Sequence, residues 1–395
     1  MSNKVLDGIR VLDFGRYIAG PFCAALLADM GAEVIRIERV EGGEDRFTSP
    51  VAEDGSGAAF MQMGRNKLGM TLNPIKPEGK EVVKRLVKTA DVVIANLPPQ
   101  TLVTMGIDYD SLKAIKPDII LTWGSTFGDG GPYSSRLGFD GLGQAMSGGM
   151  HMTGPKDHPV KAAANYVDFG TASLSAYGTM AALYERQKTG KGQIVKASLY
   201  KTALNFMGNF ITEQSVLGLN RHGTMNRLQT SGPGDTFQTK DGWVLVQTVG
   251  RAMFERWAKL MGEDHWLQDE RFNDDIGRGD HNEVISERLV RWCLERTTEQ
   301  VLQEFETAKL PAGTVYDFQQ VLDDEHGQAI DAFKALDYPG TPKVPKIMDT
   351  PVTLSETPPE IRHRAPTLSE HTEQIMKELG YSDDDIRDLR EKRVI

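Results

Sequence analysis

Asn165-Tyr-Val-Asp-Phe-Gly-Thr-Ala-Ser173 places one carboxylate, Asp168, among small and apolar neighbours just ahead of a helical stretch. A carboxylate there can accept a backbone N–H as a helix cap, stabilising the helix by about 1 kcal/mol. It can also be an anion exposed at the end of an element and able to attack an electrophile. Residue 171 is Thr rather than Glu or Gln, so no capping box supports the first reading. The two readings are compatible, because the helix dipole holds a carboxylate at its N-terminus ionised.

Other chemistry-bearing types cluster near the starts and ends of periodic segments. Gly15 and Gly20 have the spacing of a phosphate-binding loop, but Pro21-Phe22 stands where Lys-Ser/Thr is needed, which excludes a nucleoside triphosphate site. A dinucleotide site would use Glu38 on a ribose, yet GxGxxG is absent. Arg36, Arg39, Arg65 and Lys67 fall at or just past strand ends, where they either meet a polyanion or are solvated. Asn96, ahead of a double proline, suits a ligand contact or a turn, and Gly148 and Gly149 suggest a close backbone approach. Cys23 and Cys293 have no partner pattern, and the eight histidines contain no HExxH, so no metal is expected.

These residues need elements to hold them. Ile9–Phe14 reads as a strand, Pro21–Met30 as a helix and Glu33–Glu38 as a second strand, forming a βαβ unit. The alternation continues through GMTLN, PEGKEVVKRLVKT, DVVIANL, DYDSLKAI and DIILTWGS. It predicts an α/β fold with a parallel sheet between helices, and ligands gathered at strand carboxyl ends. A small-residue helix is expected from Asp168 to about Lys188, and an apolar helix over KTALNFMGNFITEQSVLG. The polar, glycine-bearing stretch that follows looks like a linker. Past it, Ala252–Gly262 and Val284–Lys309 are amphipathic and helical, and a proline-rich connector leads to helical pieces at His371–Leu379 and Asp383–Lys392.

The 395 residues are too many for one compact core. We expect a large domain over 1–220, a smaller one over 221–330, and a connector and tail over 331–395. A composition of 39% hydrophobic and 25% charged residues is that of an ordinary globular protein, and a net charge of -10 argues against nucleic acid. No stretch approaches the roughly eighteen apolar residues that cross a bilayer, so no membrane partner is expected and cytoplasm is the expected location.

GIRVLDFGRYIAGPFCAALLADMGAEVIRIE, GRNKLGMTLN, DVVIANLPPQTLVTMGID, GFDGLGQAMSGG, the Asp168 segment with TMAALYERQKTGKGQIVKASL, and APTLSEHTEQIMKELGYS together resemble class III CoA transferases, the formyl-CoA transferase and carnitine CoA-transferase group. The resemblance runs through nearly the whole chain in order. It implies an interlocked homodimer with a Rossmann-like large domain, to which the tail returns, and a smaller α+β domain.

Carried over by motif, Asp168 takes the position of a catalytic nucleophile that exchanges coenzyme A between an acyl-CoA and a free carboxylic acid. Ile18 and Ala19 fall beside the pantetheine, Arg39 and Lys67 near the nucleotide phosphates, and Asn96, Leu97 and Met105 along the adenosine, with Arg136 a further cation. Asp140, Gly232 and Gly234 fall on the substrate side. Backbone amides at the helix start after Asp168, or in Ser231-Gly-Pro-Gly234, are candidates for stabilising an oxyanion. Formyl-CoA transferases carry glutamine where Ile18 stands, which argues against oxalate or formate; a dicarboxylate such as succinate or a carnitine-like acid fits. Thr104 replaces an arginine of many relatives. Related alpha-methylacyl-CoA racemases need a histidine where this chain has Phe139, which cannot move a proton. A racemase and a non-catalytic CoA or nucleotide binder, with Asp168 only a cap, stand as the alternatives.

Overall fold

The computed structural model describes residues 4–395. They form two compact units, one built from the chain up to Ser147, Ala162–Thr212 and Gln328–Ile395, the other from Gly148–Lys161 and Glu213–Gly327. The second unit thus takes in Gly148–Lys161, which the sequence reading left in the large domain. Non-local backbone pairing is the reason: the Gly223 N–H donates to the His151 carbonyl (3.1 Å) and the Met225 N–H to the Gly154 carbonyl (2.9 Å).

The first unit is organised by six parallel strands: β1 (Arg10–Asp13), β2 (Glu33–Glu38), β3 (Lys67–Thr71), β4 (Val92–Ala95), β5 (Ile120–Ser125) and β6 (Ile194–Ser198). Their order is β3-β2-β1-β4-β5-β6. Strands covered on both faces are apolar on both, and alternate residues enter different cores. Val11, Val34 and Val92 pack with the helices Ala19–Asp29 and Tyr166–Thr189. Leu12, Ile35 and Val93 pack with Pro77–Thr89 and the C-terminal helices Thr372–Glu378 and Asp383–Glu391. Strand order reverses between β1 and β4, so their carboxyl ends, Asp13 and Ala95, open the crevice where such sheets bind ligands.

The tail covers the sheet edge at β3. The Thr71 N–H donates to Thr372 Oγ1 (3.0 Å) and the His371 N–H to the Gly69 carbonyl (2.9 Å). A Cβ on Gly69 would lie 2.8 Å from Pro366, so only glycine admits the tail there.

The second unit holds an antiparallel sheet of Gly234–Gln238, Trp243–Gln247 and Ala312–Thr314. Its core is aromatic, with Phe237, Phe254, Trp257, Trp292 and Phe305 buried together. The helical stretch expected over 284–309 is two helices, Asn282–Leu294 and Thr298–Thr307, because Thr297 and Gln300 form a capping box that starts a new one. The stretch after β6 is likewise split, into Leu199–Phe206 and Gly208–Leu217. No helix among the described residues is long and apolar enough to cross a membrane.

Candidate active site

The helix Tyr166–Thr189 begins at Asn165, so Asp168 is its third residue and not its cap. Asp140 supplies the capping contacts instead. Its Oδ2 accepts the N–H groups of Val167 (2.8 Å) and Asp168 (3.0 Å), while Gln144 Nε2 donates to its Oδ1 (2.5 Å). The Asp168 carboxylate receives no hydrogen bond from any described residue and is 9% exposed. Burial, and then the charge on Asp140, push its carboxyl up to about 7. The expectation that the helix dipole keeps this group firmly ionised is therefore corrected: desolvation outweighs the first-turn amides.

Asp168 lines a cavity of about 270 Å³ shared with Ile18, Ala19, Asn96, Leu97 and Arg136. The cavity lies at the β1–β4 reversal, and Asn96 shapes it. Its Oδ1 accepts the Arg16 N–H (2.6 Å) and its Nδ2 donates to the Arg16 carbonyl (2.9 Å), so one side chain clamps the loop after β1. Gly15 and Gly20 make that loop tight: a Cβ on Gly15 would fall 2.9 Å from the Gly20 Cα. Their spacing therefore serves close packing. Trp123 Nε1 donates to the Leu97 carbonyl (3.0 Å), fixing the opposite wall.

The amides expected to stabilise an oxyanion after Asp168 are occupied. Those of Val167 and Asp168 bind Asp140, and that of Phe169 binds the Asn165 carbonyl. The Ile18 and Ala19 amides meet no acceptor among the described residues, and Pro21 just beyond has no N–H to compete.

A second cavity, about 390 Å³, is lined by apolar Phe14, Ile37, Leu72 and Met105 and rimmed by Arg39 and Arg393. Arg39 is paired with Glu44 and Arg393 with Glu41, both near the surface. Arg16 and Leu97 line both cavities. The two cavities are therefore neighbours, and both have largely apolar linings with cations among them, as small-molecule sites do.

Residues 6–372 match the family model described as CoA-transferase family III. The chain belongs to CoA-transferase family III. It is 33% identical over 396 residues, covering 99% of this chain and 98% of the relative, to a succinyl-CoA–D-citramalate CoA-transferase of Chloroflexus aurantiacus. It is 35% identical to the beta subunit of a succinyl-CoA–L-malate CoA-transferase of the same organism, covering 99% and 98%. Among solved structures, a CAIB/BAIF family protein from Brucella suis superposes with a TM-score of 0.84 at 30% identity, covering 95% of this chain and all of that one.

Against that family background the remaining expected residues separate. Lys67 does not face either of these two cavities. Its ammonium is buried, donating to Asp13 Oδ2 (2.8 Å) and the Pro21 carbonyl (2.7 Å), because Asp13 is itself buried holding the Gly15 N–H and needs a counter-charge. Arg36 and Arg65 are also turned inward, onto Asp45 (2.5 Å) and Asp29 (2.8 Å). Neither ligand contact nor solvation describes these three. Glu38 is engaged by Arg46 (2.5 Å), which takes from a dinucleotide reading its ribose ligand. Arg136 is exposed and stacks on Tyr133 (3.9 Å).

Thr104 bonds back to the Gln100 carbonyl within its own helix, and Arg393 stands at the pocket where a further cation was missing. Gly232 and Gly234 are buried in the second unit, where added Cβ atoms would meet the Arg278 carbonyl (2.8 Å) and Leu228 (2.4 Å). Gly148 needs glycine for its φ of 87° and has open space around it, so the close approach expected there is not found. Sequence reasoning passed over Arg16 and Arg393. Arg16 carried a signal, as a cation in a strand-end loop; Arg393 carried none, since only the fold brings it back to β2.

Proposed function

We propose that this CoA-transferase moves CoA from a succinyl-type thioester to a small carboxylic acid through covalent intermediates on Asp168. The observation that carries the reading is the Asp168 carboxylate: buried, relieved of capping by Asp140, accepting no hydrogen bond, and open to the cavity. An anion so placed is a desolvated nucleophile.

In the first step an Asp168 oxygen attacks the thioester carbonyl and expels the CoA thiolate, leaving a mixed anhydride. The thiolate then attacks the aspartyl carbonyl, releasing the donor acid and leaving an aspartyl-CoA thioester. The acceptor carboxylate attacks that thioester, again freeing the thiolate. Attack of the thiolate on the acceptor's carbonyl gives the new acyl-CoA and restores the carboxylate. Each tetrahedral stage puts charge on an oxygen, for which the unpaired amides of Ile18 and Ala19 are the candidate donors. Both transferases named above use succinyl-CoA by name, which supports a dicarboxylyl donor. The burial of Asp168 and the largely apolar lining beside it limit the access of water to the anhydride.

We propose further that two copies interlock. The helix Gly208–Leu217 buries none of its side chains within one chain and exposes Val216 and Leu217, which a second copy would cover. Light scattering on the purified protein should give twice the 43.7 kDa of one chain, and a monomer mass would refute the pairing.

The covalent route is tested by incubation with succinyl-CoA followed by hydroxylamine and peptide mass spectrometry. A hydroxamate on the Asp168 peptide is the expected outcome. Exchange of labelled succinate into succinyl-CoA without any such adduct would refute it.

A further inference from the structure

Three carboxylates lie around the loop after β1, and each already has a cation: Asp13 with Lys67 (2.8 Å), Asp45 with Arg36 (2.5 Å) and Glu38 with Arg46 (2.5 Å). These pairs balance, three charges against three, and Arg16 is left over. No carboxylate of the described residues lies within ion-pair distance of its guanidinium. The group donates only to the Gly15 carbonyl at 3.3 Å and the Ile37 carbonyl at 3.5 Å, both at the weak limit of a hydrogen bond. Most of its five N–H donors meet no acceptor among the described residues. Burial first, and then the neighbouring Arg36, disfavour its charged form, and Asp45, Glu38 and Asp13, each already paired to another cation, offset only part of this. A guanidinium that is partly desolvated, next to a second cation and without an ion pair of its own leaves room for an anion from outside the chain.

Its position says which anion. Arg16 and Leu97 are the two residues that line both the Asp168 cavity and the Arg39–Met105 cavity, so a ligand occupying both would lie against them. Asn96 holds the Arg16 backbone through two hydrogen bonds, fixing where the side chain starts.

We propose that Arg16 binds the diphosphate of the CoA ligand at the junction of the two cavities. The inference rests on the reading that CoA spans them, with its thioester arm toward Asp168 and its nucleotide toward Met105. A planar fork with parallel donors matches adjacent phosphate oxygens better than an ammonium does. The rim cations Arg39 and Arg393 are then left for the ribose phosphate.

The test is calorimetric binding of three free thiols to the wild type, Arg16→Gln and Arg16→Lys. CoA carries both phosphate groups, dephospho-CoA keeps only the diphosphate, and pantetheine has neither. Arg16→Gln should weaken CoA and dephospho-CoA alike, by about 10- to 100-fold for a charge-assisted bond, and leave pantetheine unchanged. Arg16→Lys should lose less, since it keeps the charge and not the fork, and it carries the same comparison should the glutamine variant fail to fold.

Equal weakening of pantetheine, or no weakening of any ligand, would overturn the assignment. So would a loss seen with CoA and absent with dephospho-CoA, which points to the ribose phosphate, or one that appears only when the arm bears a succinyl group, which points to the acyl carboxylate. Wild-type binding of CoA without transfer between acids would sink the proposed reaction and leave this assignment standing.

Discussion

Asp140 accepts the backbone N–H of Asp168 at 3.0 Å while its negative charge presses on the Asp168 carboxyl. One side chain both fixes the start of the helix and raises the basicity of the group the helix presents. On the proposed covalent route the reacting form is the Asp168 anion, whose carboxyl is pushed up to about 7, so kcat/KM should rise tenfold per pH unit below that value and flatten above it. In Asp140→Asn the inflection should move to lower pH but stay above an ordinary aspartate, because burial is the larger cause. A pH–rate profile of both proteins checks this.

Asp168→Asn should remove transfer by at least about a thousandfold, as loss of a covalent nucleophile does. It should also stabilise the protein at alkaline pH. The carboxyl sits near 3.8 in the unfolded chain and about 7 in the folded one, so its burial costs nothing below pH 4 and the penalty grows as pH rises to about 7. The ceiling on that penalty is about 4 kcal/mol. Thermal melts at pH 5 and pH 8 should show the variant's gain in Tm larger at pH 8; a gain independent of pH would contradict the buried-anion account.

Lys67 and Arg39 should part company. Lys67→Met leaves Asp13 buried without its nearest counter-charge, which costs roughly 3–5 kcal/mol, so Tm falls while the KM of the surviving enzyme for acyl-CoA changes little. Arg39→Gln removes an exposed cation from the cavity in which the nucleotide is proposed to sit, so KM for acyl-CoA should rise with Tm unchanged. Differential scanning fluorimetry alongside steady-state kinetics separates the two.

Asn96→Ala should loosen the loop that carries Ile18 and Ala19. Two hydrogen bonds to the Arg16 backbone are lost, each worth about 1 kcal/mol net, so KM for acyl-CoA should rise about tenfold or more. A variant with wild-type KM would show that the loop keeps its shape without the clamp.

The parallel sheet was legible because its helices and strands carry different periods: Val82, Val83, Leu86 and Val87 repeat as a helix face, while Val11 and Leu12 point to opposite cores. Asp168 was legible as a carboxylate near a helix start, but not its release from capping, which depends on a residue 28 positions earlier. The fate of Lys67 was hidden for the same reason. A lysine at a strand end looks exposed until the carboxylate beneath it, Asp13 on another strand, is placed. Gly15 and Gly20 show the converse, since their spacing suggested a phosphate and the structure shows two backbones in contact.

The cavity beside Met105 draws Phe14 and Arg16 from near the start of the chain and Arg393 from near its end. During synthesis those pieces emerge far apart in time, so all the residues lining the Asp168 cavity are made long before the last residue of the second one. That cavity is thus complete only once residue 393 has left the ribosome, and an early terminated product ending before Pro366 would expose the β3 edge to chance pairing instead.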